Sequence, residues 1–150
     1  MFQFIETIAV ENAVAPLADM HYSRMQRTAA AHFASFDLPH PLELIKVPAE
    51  MSSSKVKCRI LYSNRIEKIE YEPYQAREIR NLKLVNGDHV AYHFKFADRT
   101  ALDDLFALRA DCDDILIQRN GLITDTSIAK VLLLKDGIWY TPERPMLRGV

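Results

Sequence analysis

From Lys55 to Tyr62 apolar and polar positions alternate. Val56, Cys58, Ile60 and Tyr62 point one way and Lys57, Arg59 and Leu61 the other, which predicts a half-buried strand. Ser63-Asn64 then marks a turn. A partner strand from Arg65 through Glu72 completes a hairpin, with Pro73 suited to a sheet edge because proline cannot donate to a ladder. The run Phe2 to Val10 is apolar and β-branched and stops at Glu11-Asn12, as an opening strand would. Between these strands, Asp19 to Phe33 predicts a helix, with Met20, Met25, Thr28 and Ala29 near one face and Asp19 as its cap. Prolines at 39, 41 and 48 and the SSSK stretch at 52–55 make the following segment a loop.

The second half begins afresh. LKLV, NGDH and VAYHFKF read as strand, turn and strand. Asp98 then caps a helix carrying Leu102, Leu105, Phe106 and Arg109 at helical spacing and ending near Ala110. The strand DILIQ, the turn RNG, the segment LITDTSIAKVLLL, the turn KDG and the strand IWYTP follow. Helices mixed with mostly antiparallel hairpins make the class α+β. A boundary near Arg80-Asn81 separates a lobe at 1–80 from one at 81–150.

Composition narrows the class without naming a task. The chain has 150 residues, 49% of them hydrophobic and 26% charged, so it can bury a core. A net charge of −1 supplies no field for nucleic acid or an anionic membrane, so neither partner is expected and an anionic ligand must be held by local groups. Cys58 and Cys112 have no metal-ligand or CxxC spacing, which suggests a reducing compartment. With no signal-like N-terminus and no bilayer-length apolar run, the expectation is a cytoplasmic protein.

Lys95 is the residue whose surroundings raise a chemical question. On a strand it would share a face with His89, Ala91 and His93, while Val90, Tyr92, Phe94 and Phe96 line the other. It can be one charge on a wet face, or an amine held in a partly dry pocket, where desolvation frees it to form a Schiff base. His89 and His93 would lie about 13 Å apart on an extended chain, too far to share an ion, and no metal site is expected. A pyridoxal phosphate site would also need a cationic cradle for phosphate and a carboxylate for the ring nitrogen.

The chain resembles the class IV aminotransferases, the fold-type IV pyridoxal-phosphate enzymes, which include branched-chain and D-amino acid aminotransferases and aminodeoxychorismate lyase. The resemblance runs in order through FIETI, HYSRMQRT at 21–28, FKFADR at 94–99, DDILIQRNGLITDTSIAKV at 113–131, WYTP at 139–142 and PMLRG at 145–149. It implies a two-layer α/β sandwich lobe followed by a β-barrel-like lobe with a helix. It makes Lys95 the catalytic lysine, which carries pyridoxal 5'-phosphate and moves a proton at the substrate carbon. Arg24 matches the phosphate-binding arginine, a role suited to a forked, permanent cation. Asp125 stands where the family usually has a glutamate facing the pyridine nitrogen. Thr126 and Ser127 can reach a phosphate, the Asp125 carboxylate or the backbone. Phe4 and Glu6 are expected on the substrate side. The resemblance further implies a small-molecule substrate, an amino acid or an aminodeoxychorismate-like compound, either transaminase or lyase chemistry, and a homodimer.

Three departures qualify these expectations. Lys130 replaces a usual asparagine, so an uncompensated ammonium is expected in a packed position. Asp98, Arg99 and Thr100 follow the lysine where the family tends to place a tyrosine. After PMLRG the family continues with a threonine, an arginine, a helix and further strands, so the second lobe is expected to be incomplete and its phosphate cradle only half encoded. Weakened cofactor binding follows. The alternative is a catalytically inactive relative serving as a binding or assembly module.

Overall fold

The computed structural model describes residues 2–150 of the chain. Its strands form three sheets, in the orders β1-β2-β3, β4-β5-β6 and β7-β8, and the class is α+β as expected. The chain divides into two compact units: residues 1–76 with 94–98 and 150, and residues 77–93 with 99–149.

In the first unit β1 (Phe4–Glu11), β2 (Lys55–Tyr62) and β3 (Ile66–Pro73) form an antiparallel meander, with Phe4 opposite Tyr62, Glu6 opposite Ile60 and Val10 opposite Val56. β2 keeps the predicted alternation: Val56, Cys58, Ile60 and Tyr62 are all buried. Helix α1 (Ala18–His32) sends Met25 and Ala29 into the same core as Phe4, Ile8 and Ile60. A four-residue helix α2 (Pro41–Leu44) and a 3-10 turn at Ala49–Met51 lie in the stretch expected as loop.

Two details of α1 differ from the expectation. Its buried stripe runs through Ala18, His21, Met25 and Thr28, while Met20 is exposed. Five residues separate Met20 from Met25, which places them about 140° apart around the helix. The N-cap position belongs to Leu17, with no side-chain cap, and Asp19 lies inside the first turn, where its charge still complements the helix dipole.

In the second unit β4 (Leu82–Asn86) pairs parallel with β5 (Asp114–Arg119), and β5 pairs antiparallel with β6 (Leu122–Thr126). The expected strand over VAYHFKF is absent. Instead the chain crosses through α3 (Thr100–Ala107), which buries Leu102 and Leu105, and a crossover of this kind is what a parallel pair requires. Arg99 takes the N-cap position of α3, one residue beyond the expected Asp98. β7 (Leu133–Lys135) and β8 (Ile138–Tyr140) form a separate hairpin, and the segment after RNG holds β6 and the start of β7. Positive φ at Asn120 and Gly121, and again at Asp136 and Gly137, gives both hairpins the turn that matches strand twist. Among the described residues no helix is long and apolar enough to cross a membrane.

Candidate active site

β1 organises the first unit's candidate residues. Its core face carries Phe4, Glu6, Ile8 and Val10, so strict alternation places a carboxylate among apolar side chains. Such a charge is tolerated only when paired and hydrogen-bonded. The partners come from α1, where His21 and Arg24, three residues apart, share the buried face. Arg24 Nε donates to Glu6 Oε1 at 2.8 Å, Arg24 Nη2 donates to Oε2, and His21 Nδ1 lies 2.7 Å from Oε2. Because an ionised carboxylate only accepts, Nδ1 is the protonated nitrogen of His21. Burial pushes the Glu6 carboxyl up, but the bonds and charges of Arg24 and His21 outweigh it and leave the group below its ordinary 4.5. On neighbouring β2, burial followed by the Glu6 charge raises the phenol of Tyr62. Phe4 and Glu6 are both fully buried, Phe4 in the core and Glu6 on Arg24 and His21.

Lys95 belongs to the same unit as Arg24. Its backbone is fixed to β1: Ile5 N–H donates to the Lys95 carbonyl at 2.9 Å, Ala97 N–H to the Gln3 carbonyl at 2.8 Å, and Phe96 bridges Phe4. Phe96 N–H also donates to the Phe94 carbonyl at 3.0 Å, a three-residue turn centred on Lys95. That turn is one reason the alternating stretch is not a strand. The other is that Val90 and Tyr92 are buried in the second unit, whereas Phe94 and Phe96 pack on the core of the first. Phe94 meets His32 at 4.5 Å and Phe96 meets Phe4 at 5.1 Å between ring centroids, so aromatic contacts hold both neighbours of a half-buried lysine.

Asp125 lies in the second unit, on β6, and is buried. Lys130 Nζ donates to its Oδ1 at 3.1 Å and Met146 N–H to its Oδ2 at 2.5 Å. The Lys130 ammonium is thus compensated, contrary to expectation, and it donates to the Leu147 carbonyl as well. Thr126 serves its own turn: its hydroxyl accepts from Ala129 N–H at 2.9 Å. Ser127 offers its carbonyl to Arg99 at 2.9 Å. Among the described residues no group of three His, Cys, Asp or Glu is placed to hold a metal ion.

Sequence reasoning missed Glu6 and His21 as partners of Arg24, although the signal was present. Period-2 counting on β1 and the i, i+3 spacing on α1 put one anion and two nitrogen donors on facing buried surfaces. The partnership of Lys130 with Asp125 carried a weaker signal, since five residues along a chain that leaves its strand fix no geometry.

Comparison with known proteins adds an independent line. The family described as amino-transferase class IV matches residues 3–150. An uncharacterized protein of Haemophilus influenzae is 31% identical over 151 residues, covering 99% of this chain and 80% of its own length. A crystal structure from Haemophilus somnus 129PT, named "putative 4-amino-4-deoxychorismate lyase", superposes with a TM-score of 0.87 at 30% identity, covering 99% of this chain and 79% of that one. The fold recurs in a Thermotoga maritima protein named "putative branched-chain amino acid aminotransferase", with a TM-score of 0.68 at 19% identity over 93% of this chain and 56% of that one.

Proposed function

This chain belongs to the amino-transferase class IV family, and we propose that it binds pyridoxal 5'-phosphate through Lys95 and acts on an amino acid or an aminodeoxychorismate-like substrate. The observation that carries the proposal is the placement of Lys95: a half-buried amine whose backbone is pinned to β1, the strand whose Glu6 also holds Arg24. Two groups of the first unit suit the cofactor chemically, an amine for the aldehyde and a guanidinium for the phosphate. When bound, pyridoxal phosphate supplies an aldehyde that reacts with amines and a ring that accepts electron density from the substrate's α-carbon.

The protein's own contributions follow from its residues. Lys95 would hold the cofactor through its amine and would move a proton at the substrate's α-carbon. Arg24 would offer the phosphate its charge and the N–H groups not spent on Glu6, which fixes the guanidinium's orientation. On the resemblance, Asp125 would be the carboxylate that favours the protonated ring. On this proposal the second unit's sheet belongs to a barrel-like lobe, and two copies associate. The exposed apolar side chains of Leu133, Leu134, Ile138 and Trp139 are compatible with such association.

The Haemophilus somnus relative's name favours elimination of pyruvate over amino transfer. Pyruvate release from 4-amino-4-deoxychorismate, assayed beside amino transfer from amino acids to 2-oxo acids, separates the two. A Lys95→Ala variant is expected to lose both activities. A second reading, an inactive relative used as a binding module, is favoured by the internal partners that Arg24 and Asp125 already have. It predicts no visible absorption band at saturating pyridoxal phosphate, where the first reading predicts a band that Lys95→Ala removes.

A further inference from the structure

His40 stands between two helices of the first unit and is held at both ring nitrogens. Its Nδ1 accepts from Leu42 N–H at 3.2 Å, which caps α2 at its start, and its Nε2 lies 3.0 Å from Asp19 Oδ1 on α1. Asp19 and Tyr22, three residues apart, share the side of α1 that meets this ring, and Tyr22 approaches it edge-on at 4.7 Å between centroids. These partners decide the tautomer. A backbone N–H only donates and an ionised carboxylate only accepts, so neutral His40 carries its proton on Nε2 and keeps Nδ1 as an acceptor. Helix caps are ordinarily the side-chain oxygens of Ser, Thr, Asp or Asn, which accept a hydrogen bond throughout the neutral range. An imidazole nitrogen accepts only while the ring is uncharged.

We propose that His40 is a proton-sensitive joint between α1 and α2: uncharged, it bonds both helices; charged, it keeps Asp19 and gives up Leu42. Histidine is the side chain that changes charge between about pH 5 and 8, and the added proton on Nδ1 points at the Leu42 N–H. The ionisable groups around the ring do not supply a substitute acceptor. On α1, Asp19 is bonded to Nε2 and Tyr22 offers its ring edge-on, while His21 and Arg24 turn to the buried Glu6. On α2 the charged group is Glu43 in the first turn, and on the connecting stretch it is Asp37. The Asp19 side chain is 91% exposed, so solvent screens its attraction for the charged ring and it does not stand in for the cap. Leu38 and Pro41 are buried on either side of His40, so the loosening is confined to the first turn of α2.

NMR of the full chain between about pH 8 and about pH 5 tests the joint directly. The nitrogen shifts of the His40 ring report its tautomer, and the Leu42 amide reports the cap. The expected result is an Nε2–H tautomer at the upper end and a Leu42 amide resonance that moves with the charging of His40. Hydrogen-exchange protection at Leu42 should fall about fivefold, the weight of one N-cap bond, while the amides of β2 keep theirs. In His40→Asn, whose side-chain oxygen accepts throughout this range, the Leu42 amide is expected to hold its shift and its protection. A neutral ring protonated on Nδ1, or a Leu42 amide indifferent to the charging of His40, would overturn the proposal. So would a Leu42 response that persists in His40→Asn, which would assign the change to another group, or a parallel loss of protection in β2, which would mark general unfolding.

Discussion

The buried trio of Glu6, His21 and Arg24 sets the character of the first unit at the level of single residues. Replacing Glu6 with Gln leaves the Arg24 charge buried with a weaker acceptor, and the expected loss is on the order of 3 kcal/mol in urea denaturation. The pH dependence has a definite sign. The folded-state pKa of Glu6 lies below its ordinary 4.5, so its stabilisation is fully present above 4.5 and is lost as pH falls through the folded value. Wild-type stability should fall through this acid range, and Glu6→Gln should flatten the fall. The cysteines offer a further check. Burial pushes the Cys58 thiol up to about 11, and Cys58 is fully buried, whereas Cys112 is partly exposed. A thiol reagent at neutral pH is expected to label Cys112 in the native protein and Cys58 only on unfolding. Equal labelling rates would contradict this packing.

Elements show where sequence patterns are decisive and where they are not. The strand β2 and the turn at Asn120-Gly121 were legible, because alternation and an Asn-Gly pair next to a strand each have one good structural solution. The second Asn-Gly, at Asn86-Gly87, was not. It reads as the same hairpin turn, yet Gly87 stands there for space: an added Cβ would meet Ile117 Cγ2 at 2.6 Å and Leu105 Cδ1 at 3.4 Å. Parallel pairing of β4 with β5 brings Gly87 against β5, and no local pattern announces a partner 32 residues away in the register Leu82 to Asp114. Gly87→Ala is therefore expected to cost about 1–3 kcal/mol in denaturant unfolding, through overpacking against a stiff isoleucine. An alanine variant as stable as wild type would contradict that close approach. VAYHFKF failed as a strand for a related reason: its two halves serve different cores, parting between His93 and Phe94, and a turn at Lys95 bends the second half.

At the scale of the whole molecule, the order of short motifs carried more than any one of them. Alternation alone left Lys95 as either a solvated charge or a pocket amine, and Arg24 could have been a surface arginine. The structure instead pins the Lys95 backbone to β1 and buries Arg24 on that strand's Glu6. Family membership was legible because FIETI, HYSRM, FKFADR and LITDTSIA recur in one order along the chain. The internal partners of Arg24 and Asp125 were not, because they depend on tertiary contacts between a strand and a helix and between β6 and the segment after β8. The central claim is that Lys95 is the residue that takes up pyridoxal phosphate. Borohydride reduction of the full chain after incubation with pyridoxal phosphate, followed by peptide mass mapping, tests it most directly. The expected result is one stoichiometric adduct on the peptide containing Lys95, absent in Lys95→Ala. Scattered substoichiometric adducts on other lysines, with Lys95 unmodified, would contradict it.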